Sequence, residues 1–136
     1  MIRNTGCWPY ALAGLFCLPL SVASQAASID GAWANQASSC DKVFRKTRDK
    51  YFFRSNSDAF GNGFILEGNS IRGRLARCTI KLRKEDGPTV HLIGTCKTGI
   101  AIESVQFTLK LIGDDKLKQI FPGVPELEVD FERCSL

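Results

Sequence analysis

The chain contains 136 residues, of which 44% are hydrophobic and 24% are charged, and its formal net charge is +4. It has no internal repeat, no low-complexity stretch and no Pro/Gly/Ser-rich linker, which excludes repeat architectures and a division into several domains. This composition predicts one small domain with a modest hydrophobic core.

Residues 1–26 are predicted to be a secretory signal peptide. One arginine precedes an apolar run over residues 7–20, and the small residues Ser24 and Ala26 occupy the positions that a signal peptidase reads. This run of 14 residues is shorter than the roughly 20 that a transmembrane helix needs. Cleavage after Ala26, or one residue later, leaves the single domain 27–136 without a transmembrane segment, in the periplasm or secreted.

The first predicted elements of this domain are a short strand over residues 31–33 and a short helix. The helix follows Ser38, because serine is a favourable N-cap, and it is expected to run for about two turns. Asp41 near its start and basic residues at its end complement the helix dipole. Val43 and Phe44 are expected to face the core.

Beyond the helix the hydrophobic period is two, which is typical of strands with one buried and one solvated face. In residues 104–111 every second residue is apolar, and residues 127–133 repeat the pattern. Weaker signals of the same kind occur at residues 51–54, 64–68, 70–77 and 116–121, and in the two arms of residues 78–96. The predicted fold is therefore all-β, a small antiparallel meander of about eight short strands that closes into a barrel. A sandwich of two sheets is the alternative.

Two disulfides are predicted from the four cysteines that remain after signal cleavage, since an even number in a small exported domain favours a disulfide framework. The preferred pairing joins Cys78 to Cys96 and Cys40 to Cys134. The alternative joins Cys40 to Cys78 and Cys96 to Cys134. Loop-closure entropy does not separate the two schemes, because each totals about 8 kcal/mol.

The hairpin register supports the bond between Cys78 and Cys96. The two cysteines are equidistant from Gly87, so a three-residue loop would place them opposite each other across the hairpin. Opposed Cβ atoms lie about 4.5–5.5 Å apart, close to the separation that a disulfide needs. The same register pairs Leu82 with Leu92 on the inner face, together with the cysteines.

No motif for catalysis, metal binding or a cofactor occurs in the sequence of the domain. The cysteines form no C-x-x-C pair, which argues against a zinc site and against thiol redox catalysis. His91 is the only histidine, and it is expected on the solvated face of the hairpin, away from Cys78 and Cys96. The pair Asp114 and Asp115 is typical of a turn rather than of a carboxylate dyad. We therefore expect a non-catalytic protein without a metal or cofactor.

Positive charge is concentrated in the first half of the domain. Residues 42–84 contain twelve Lys or Arg and three acidic residues, whereas residues 85–136 contain five and nine. The asymmetry indicates either a basic surface for a polyanion or opposite charges that pair between neighbouring strands. The candidate basic surface consists of Arg72, Arg74, Lys81 and Arg83. Nucleic-acid binding is not expected, because it needs aromatic side chains on that surface, and the nearby phenylalanines are predicted to be core.

Six short segments of the domain resemble small exported proteins of Gram-negative bacteria whose activity is not established. They are D-G-A-W-A (30–34), C-D-K-V-F (40–44), F-G-N-G-F-I (60–65), R-K-E-D-G (83–87), F-P-G (121–123) and F-E-R-C (131–134). The Gly-x-Trp opening also resembles lipocalin-like barrels. This resemblance implies that Trp33 is structural and plugs the closed end of the barrel.

The export signal, the Gly-x-Trp opening and the small disulfide barrel are distantly similar to periplasmic inhibitors of bacterial zinc proteases. That similarity implies that the mature N-terminal segment enters a protease cleft. The inhibitory segment would consist of Ala27, Ser28, Ile29 and Asp30. Those inhibitors generally have one disulfide, whereas this sequence predicts two.

The predicted function is a non-catalytic, monomeric barrel of the cell envelope that binds a small apolar ligand or an envelope protein. Eight-stranded barrels are either filled by side chains or hold one small ligand, and the sequence leaves both open. Ligand binding predicts an open cavity lined by Phe and Leu. A protease inhibitor is the alternative function.

Overall fold

The computed structural model describes residues 28–136. The predicted signal peptide, its two cysteines, and Ala27 of the predicted inhibitory segment lie outside the described residues. Strand structure dominates the described part of the chain, together with one α-helical turn and two short 3-10 helices. The domain is therefore mostly β, as the period of two predicts.

Ten strands and one α-helical turn make up the regular structure of residues 28–136. The strands are β1 (Gly31–Ala34), β2 (Phe44–Thr47), β3 (Lys50–Phe53), β4 (Gly63–Glu67), β5 (Ser70–Arg72), β6 (Arg77–Asp86), β7 (Thr89–Lys97), β8 (Ile102–Ile112), β9 (Lys116–Ile120) and β10 (Glu128–Cys134). The helical turn α1 covers Cys40–Val43, and 3-10 helices cover Ala37–Ser39 and Ser57–Phe60.

Eight of these strands close an antiparallel barrel in the order β1-β10-β9-β8-β7-β6-β5-β4. Strand β1 pairs with both β10 and β4, so the sheet has no free edge at this point. The predicted barrel is thereby confirmed, and the closure excludes the two-sheet sandwich. β2 and β3 form a separate two-stranded hairpin.

The barrel interior is filled by alternate residues of the strands, as expected from the pleat. On β8, Leu109 is buried, and Val105, Phe107 and Leu111 pack against the core at partial exposure. On β10, Phe131 is buried at the same core. The polar residues that alternate with these apolar ones face outward. Among them, Thr108 is nevertheless buried, and it lies opposite His91 of β7.

Both predicted disulfides are confirmed, and they belong to different parts of the core. Cys78 and Cys96 lie opposite each other on β6 and β7 and belong to the barrel interior. Cys40 and Cys134 join α1 to β10 outside the barrel. The alternative pairing of these four cysteines is therefore excluded.

A second, smaller core lies between the barrel wall and the segment that joins β1 to β4. It consists of Ala32, Ala34, Cys40, Val43, Phe44, Ile65 and Cys134. Phe44 and Phe53 stack across the β2–β3 hairpin, with ring centroids 5.1 Å apart. The predicted burial of Val43 and Phe44 is thus confirmed, but they face the outside of the barrel wall and not its interior.

The predicted short helix is confirmed, but its length of about two turns and its serine cap are wrong. It is a single turn, α1, preceded by a 3-10 helix, and neither Ser38 nor Ser39 caps it through a hydroxyl. Phe44 already has an extended backbone, because it pairs with Phe53 in the hairpin. Tertiary pairing therefore overrides the capping and charge signals of this segment.

The single strand predicted over residues 70–77 is wrong, because the chain turns in the middle of it. β5 ends at Arg72, β6 begins at Arg77, and the amide of Gly73 donates a hydrogen bond to the carbonyl of Ala76 across the turn. The two strands then pair with each other, with Ile71 opposite Cys78. The apolar alternation continues across the turn, so it gives no signal of the break.

The predicted register of the long β6–β7 hairpin is correct at its base and wrong towards its tip. Ile80 lies opposite Gly94 as predicted, but a bulge at Lys81 shifts the following pairs by one residue. Leu82 consequently faces Ile93 instead of Leu92, and it is 58% exposed. A two-residue connection then joins the strands where a three-residue loop is predicted, because one extra residue is used in β6.

Gly63, the first residue of β4, lies in close contact with the Phe44 ring of the smaller core and with the backbone of Trp33 on β1. A Cβ atom there would lie 2.7 Å from Phe44 Cζ and 2.7 Å from the carbonyl oxygen of Trp33. We expect Gly63→Ala to lower the free energy of unfolding by about 1–3 kcal/mol, since overpacking forces backbone shifts. Gly99→Ala is the matched control, because nothing lies within 4 Å of a Cβ there. Equal urea midpoints for the two variants would refute this contact.

Candidate functional site

Trp33 of β1 is buried in the barrel core, at the end of the barrel that faces the N-terminal segment. The indole is buried, and its N–H donates a hydrogen bond of 3.0 Å to the carbonyl oxygen of Ile29. Ile29 is itself 1% exposed and belongs to the barrel core. Ile29 and Trp33 are therefore joined within the barrel core at this end.

Arg133 of β10 holds this end together, and sequence reasoning did not identify it. Its guanidinium lies 4.3 Å from the centroid of the Trp33 ring. The same group donates to the carbonyl oxygens of Ser28, Asp30 and Asp114, at 2.6, 2.6 and 2.7 Å. It thus joins the N-terminal segment, the last strand and the β8–β9 turn. The only sequence signal is an arginine two positions after the inward-facing Phe131.

An apolar cavity of about 200 Å³ lies at the other end of the barrel, where β1 ends and β4 begins, and it is partly open to solvent. Its lining consists of Asn62, Gly63, Phe64, Ile71, Phe107, Leu109, Gln119 and Phe131. None of these side chains is ionisable. The cavity therefore presents an uncharged surface with two amides as its hydrogen-bonding groups.

The walls of the cavity are held by packing and by the strand ladder. Phe64 and Phe131 meet edge to face, with ring centroids 5.0 Å apart. Gln119 lies opposite Leu109 on β8, which places both side chains on the inner face. At the rim, the backbone N–H of Asn62 donates to Asn35 Oδ1 at 3.0 Å. The site is thus preformed by regular strands and does not depend on a long loop.

The predicted inhibitory segment is packed against the barrel over its described residues. Ile29 is buried in the core, and the carbonyl oxygens of Ser28 and Asp30 accept hydrogen bonds from Arg133. Insertion into a protease cleft would require Ile29 to leave the core and Arg133 to lose its hydrogen bonds to Ser28 and Asp30.

The four basic residues predicted to form one surface do not lie together. Arg72 and Arg74 line a common groove beside the β2–β3 hairpin. Arg83 instead lies opposite Leu92, on the inner side of β6, and pairs with Glu85 at 3.0 Å. The bulge at Lys81 causes this separation, because it moves every later residue of β6 to the other face. The predicted surface is therefore split into two sites.

Charged residues on the outer wall also pair between strands, as one interpretation of the sequence predicts. Lys118 of β9 donates to Glu128 at 2.7 Å and lies 3.6 Å from Asp130, both on β10. The hydrogen bond to Glu128, together with the charge of Asp130, raises the pKa of the Lys118 ammonium above 10.5. These residues face away from the cavity and do not contribute to it.

The lone histidine lies on the outside of the barrel. His91 Nδ1 is 3.3 Å from Thr108 Oγ1 on the neighbouring strand, and Lys84 lies opposite His91 on β6. Within residues 28–136, no acidic side chain forms a hydrogen bond or an ion pair with His91. Among residues 28–136, no group of three or more His, Cys, Asp and Glu side chains is placed to hold a metal ion.

Comparisons of the chain with protein-family models, with curated proteins and with solved structures gave no match. Within the described residues, no helix has the length and apolar character needed to cross a membrane.

Proposed function

We propose that the protein is an exported, non-catalytic β-barrel that binds a small apolar ligand in the cavity opposite Trp33. The observation that carries this proposal is the cavity itself, which is lined mainly by Phe, Leu and Ile and reaches solvent. Small-molecule sites are typically concave and mostly apolar, with a few polar groups that orient the ligand. Gln119 and Asn62 are suited to that orienting role.

The volume of the cavity limits the size of the ligand. Drug-sized ligands occupy pockets of about 300–1,000 Å³, whereas this cavity measures about 200 Å³. An apolar cavity of about 150 Å³ is large enough to bind benzene. We infer a ligand with one or two rings, or a short alkyl chain, that carries a polar group able to reach the amides at the rim.

Export of the protein is supported by the predicted signal peptide and by the two disulfides. Disulfides persist in oxidising compartments such as the periplasm and the extracellular space. All four cysteines of the described domain are paired and buried. This is the construction expected of a small domain that works outside the cytoplasm.

Indole is a suitable test ligand, because it has two rings and one N–H donor. We expect it to bind with a Kd of about 1 mM or tighter, given its size. Gln119→Trp should weaken binding at least about tenfold, since the larger side chain would fill the mouth of the cavity. Titration followed by nuclear magnetic resonance measures both affinities.

Gln106→Trp is the matched control for this experiment. Gln106 is exposed on the outer face of β8, outside the cavity, and carries the same side chain as Gln119. The control variant should bind indole as the unsubstituted protein does. If indole does not bind, or if both variants bind it equally, the proposed function is wrong.

Protease inhibition remains a prediction from resemblance, and no contact within residues 28–136 favours it. The segment that would enter a protease is anchored by a buried side chain and by two hydrogen bonds to Arg133. The apolar cavity has no part in that mechanism. Ligand binding is therefore the better supported function.

A further inference from the structure

A groove rich in arginine lies on the outside of the barrel, away from the apolar cavity. It runs between the β2–β3 hairpin and the turn that joins β5 to β6, and its volume is about 340 Å³. Its lining consists of Arg45, Phe52, Phe53, Arg72, Gly73, Arg74, Leu75, Ala76 and Arg77. We call it the arginine groove. It combines four arginine side chains with those of Phe52, Phe53 and Leu75.

Two of the four arginines are held in place by acceptors of the protein. Arg72 donates to the carbonyl oxygen of Tyr51 at 2.9 Å and to Glu67 at 3.2 Å, and its side chain is 19% exposed. Arg74 donates to Ser57 Oγ at 2.7 Å and pairs with Asp58 at 3.2 Å. These guanidinium groups are positioned before any ligand arrives, which lowers the entropy cost of binding.

The other two arginines keep their charge available. Neither Arg45 nor Arg77 forms an ion pair with a carboxylate among residues 28–136. Arg45 lies over the ring of Phe52, 4.8 Å from its centroid, and Arg72 approaches the same ring at 5.9 Å. Stacking on a ring orients a guanidinium but leaves its N–H groups free to donate.

The charge balance of the groove indicates what it can bind. Four positive guanidinium groups and the two carboxylates that pair with them leave a net charge of +2. A phosphomonoester carries about −1.5 to −2 charges at neutral pH, and its oxygens match the fork of donors on arginine. The groove is also larger than one phosphate group, and Phe52, Phe53 and Leu75 offer contacts to an attached organic group.

We propose that the arginine groove is a second binding site, which takes a phosphomonoester attached to a small ring or apolar group. Arg45 donates one hydrogen bond within the protein, to Thr47 Oγ1 at 3.2 Å, and its other N–H groups remain for a ligand. Arg45 and Arg77, which have no carboxylate partner among residues 28–136, bind the phosphate oxygens, and Arg72 and Arg74 supply positioned charge beside them. The proposal is independent of the apolar cavity, because the two sites share no lining residue.

Phenyl phosphate tests this site in solution by isothermal titration calorimetry at low ionic strength. We expect saturable binding that weakens as salt is added. The double variant Arg45→Gln/Arg77→Gln should bind at least about tenfold more weakly, since each guanidinium contributes about three- to tenfold. The matched control Lys81→Gln/Arg83→Gln removes the same charge outside the groove and should bind within about twofold of the unsubstituted protein.

Two further measurements define the chemistry and the source of the phosphate. Benzoate, a monoanion with the same ring, should bind at least about tenfold more weakly than phenyl phosphate. Binding to vesicles that contain phosphatidic acid, and loss of it in the groove variant, would place the phosphomonoester on a lipid. Binding of phenyl phosphate alone would place it on a soluble molecule.

The site is overturned if phenyl phosphate and the vesicles both fail to bind. It is equally overturned if the groove variant and the matched control weaken binding alike, because the effect would then come from net charge alone. Benzoate binding as tight as phenyl phosphate binding would refute the choice of phosphate. An unchanged urea midpoint of the groove variant would show that the variant is folded.

Discussion

Replacing both Cys40 and Cys134 by alanine is expected to lower the free energy of unfolding by about 4–5 kcal/mol. The two cysteines are 94 residues apart, so their bond removes more loop-closure entropy from the unfolded chain than a short-range bond does. The bond also joins α1 to β10 within the second, smaller core, which is separate from the core of the barrel interior. Urea unfolding followed by circular dichroism measures the loss.

The double variant Cys78→Ala/Cys96→Ala is the control for loop length. These cysteines are 18 residues apart, and the same entropy argument gives about 3 kcal/mol for their bond. They already face each other in a ladder of nine residue pairs, which holds the hairpin without the bond. A larger loss for the β6–β7 disulfide than for the Cys40–Cys134 disulfide would contradict this ranking.

Arg133→Met is expected to cost about 2–4 kcal/mol of unfolding free energy, through lost hydrogen bonds to three carbonyl oxygens and the lost contact with an indole ring. The guanidinium binds Ser28, Asp30 and Asp114 while it covers Trp33. Methionine keeps most of the apolar length of the side chain but donates no hydrogen bond. Thermal unfolding and hydrogen exchange at the Trp33 indole measure the effect.

Arg133→Lys separates charge from geometry at the same position. Lysine keeps the positive charge but cannot reach several carbonyl oxygens with a planar fork, so we expect it to recover less than half of the loss. Arg83→Met is the matched control, because Arg83 has one exposed ion pair, and the expected cost is below about 1 kcal/mol. Equal stabilities of the two methionine variants would refute the role of Arg133 in closing the barrel.

The barrel and the disulfides could be predicted because they depend on sequence patterns that the strands of the structure retain. Alternation in β8 and β10 places Leu109 and Phe131 inward, as the period of two requires. The predicted opposition of Cys78 and Cys96 is correct because the extra residue at the bulge compensates for the shorter connection at the tip. A regular strand needs no information from distant residues to set its faces, so the sequence predicts it well.

The parts that sequence reasoning missed depend on contacts between distant segments. The bulge at Lys81 moves Leu82 outward and Arg83 inward, and nothing in the alternation of β6 marks the extra residue. The hairpin of β2 and β3 replaces the second half of the predicted helix because Phe44 is buried against the outer barrel wall. Arg133 acquires its role from carbonyl groups about 100 residues away in the chain.

The candidate sites, too, are predictable where they depend on local patterns and unpredictable where they depend on contacts between distant segments. The sequence predicts that Phe and Leu line an interior, but the choice between a filled core and a cavity depends on how the side chains of five strands meet. Composition alone indicates the basic residues. Their division into a groove with Arg72 and Arg74 and a separate site with Arg83 depends on the bulge and on the hairpin.

The most direct test of ligand binding in the barrel is a nuclear Overhauser measurement on the protein mixed with indole. We expect contacts between indole protons and the methyl groups of Ile71 and Leu109, which line the cavity. The exposed methyl groups of Leu82 and Ile93 should show none, since they lie on the outer wall. Contacts to Leu82 and Ile93 without contacts to Ile71 and Leu109 would contradict binding in the cavity.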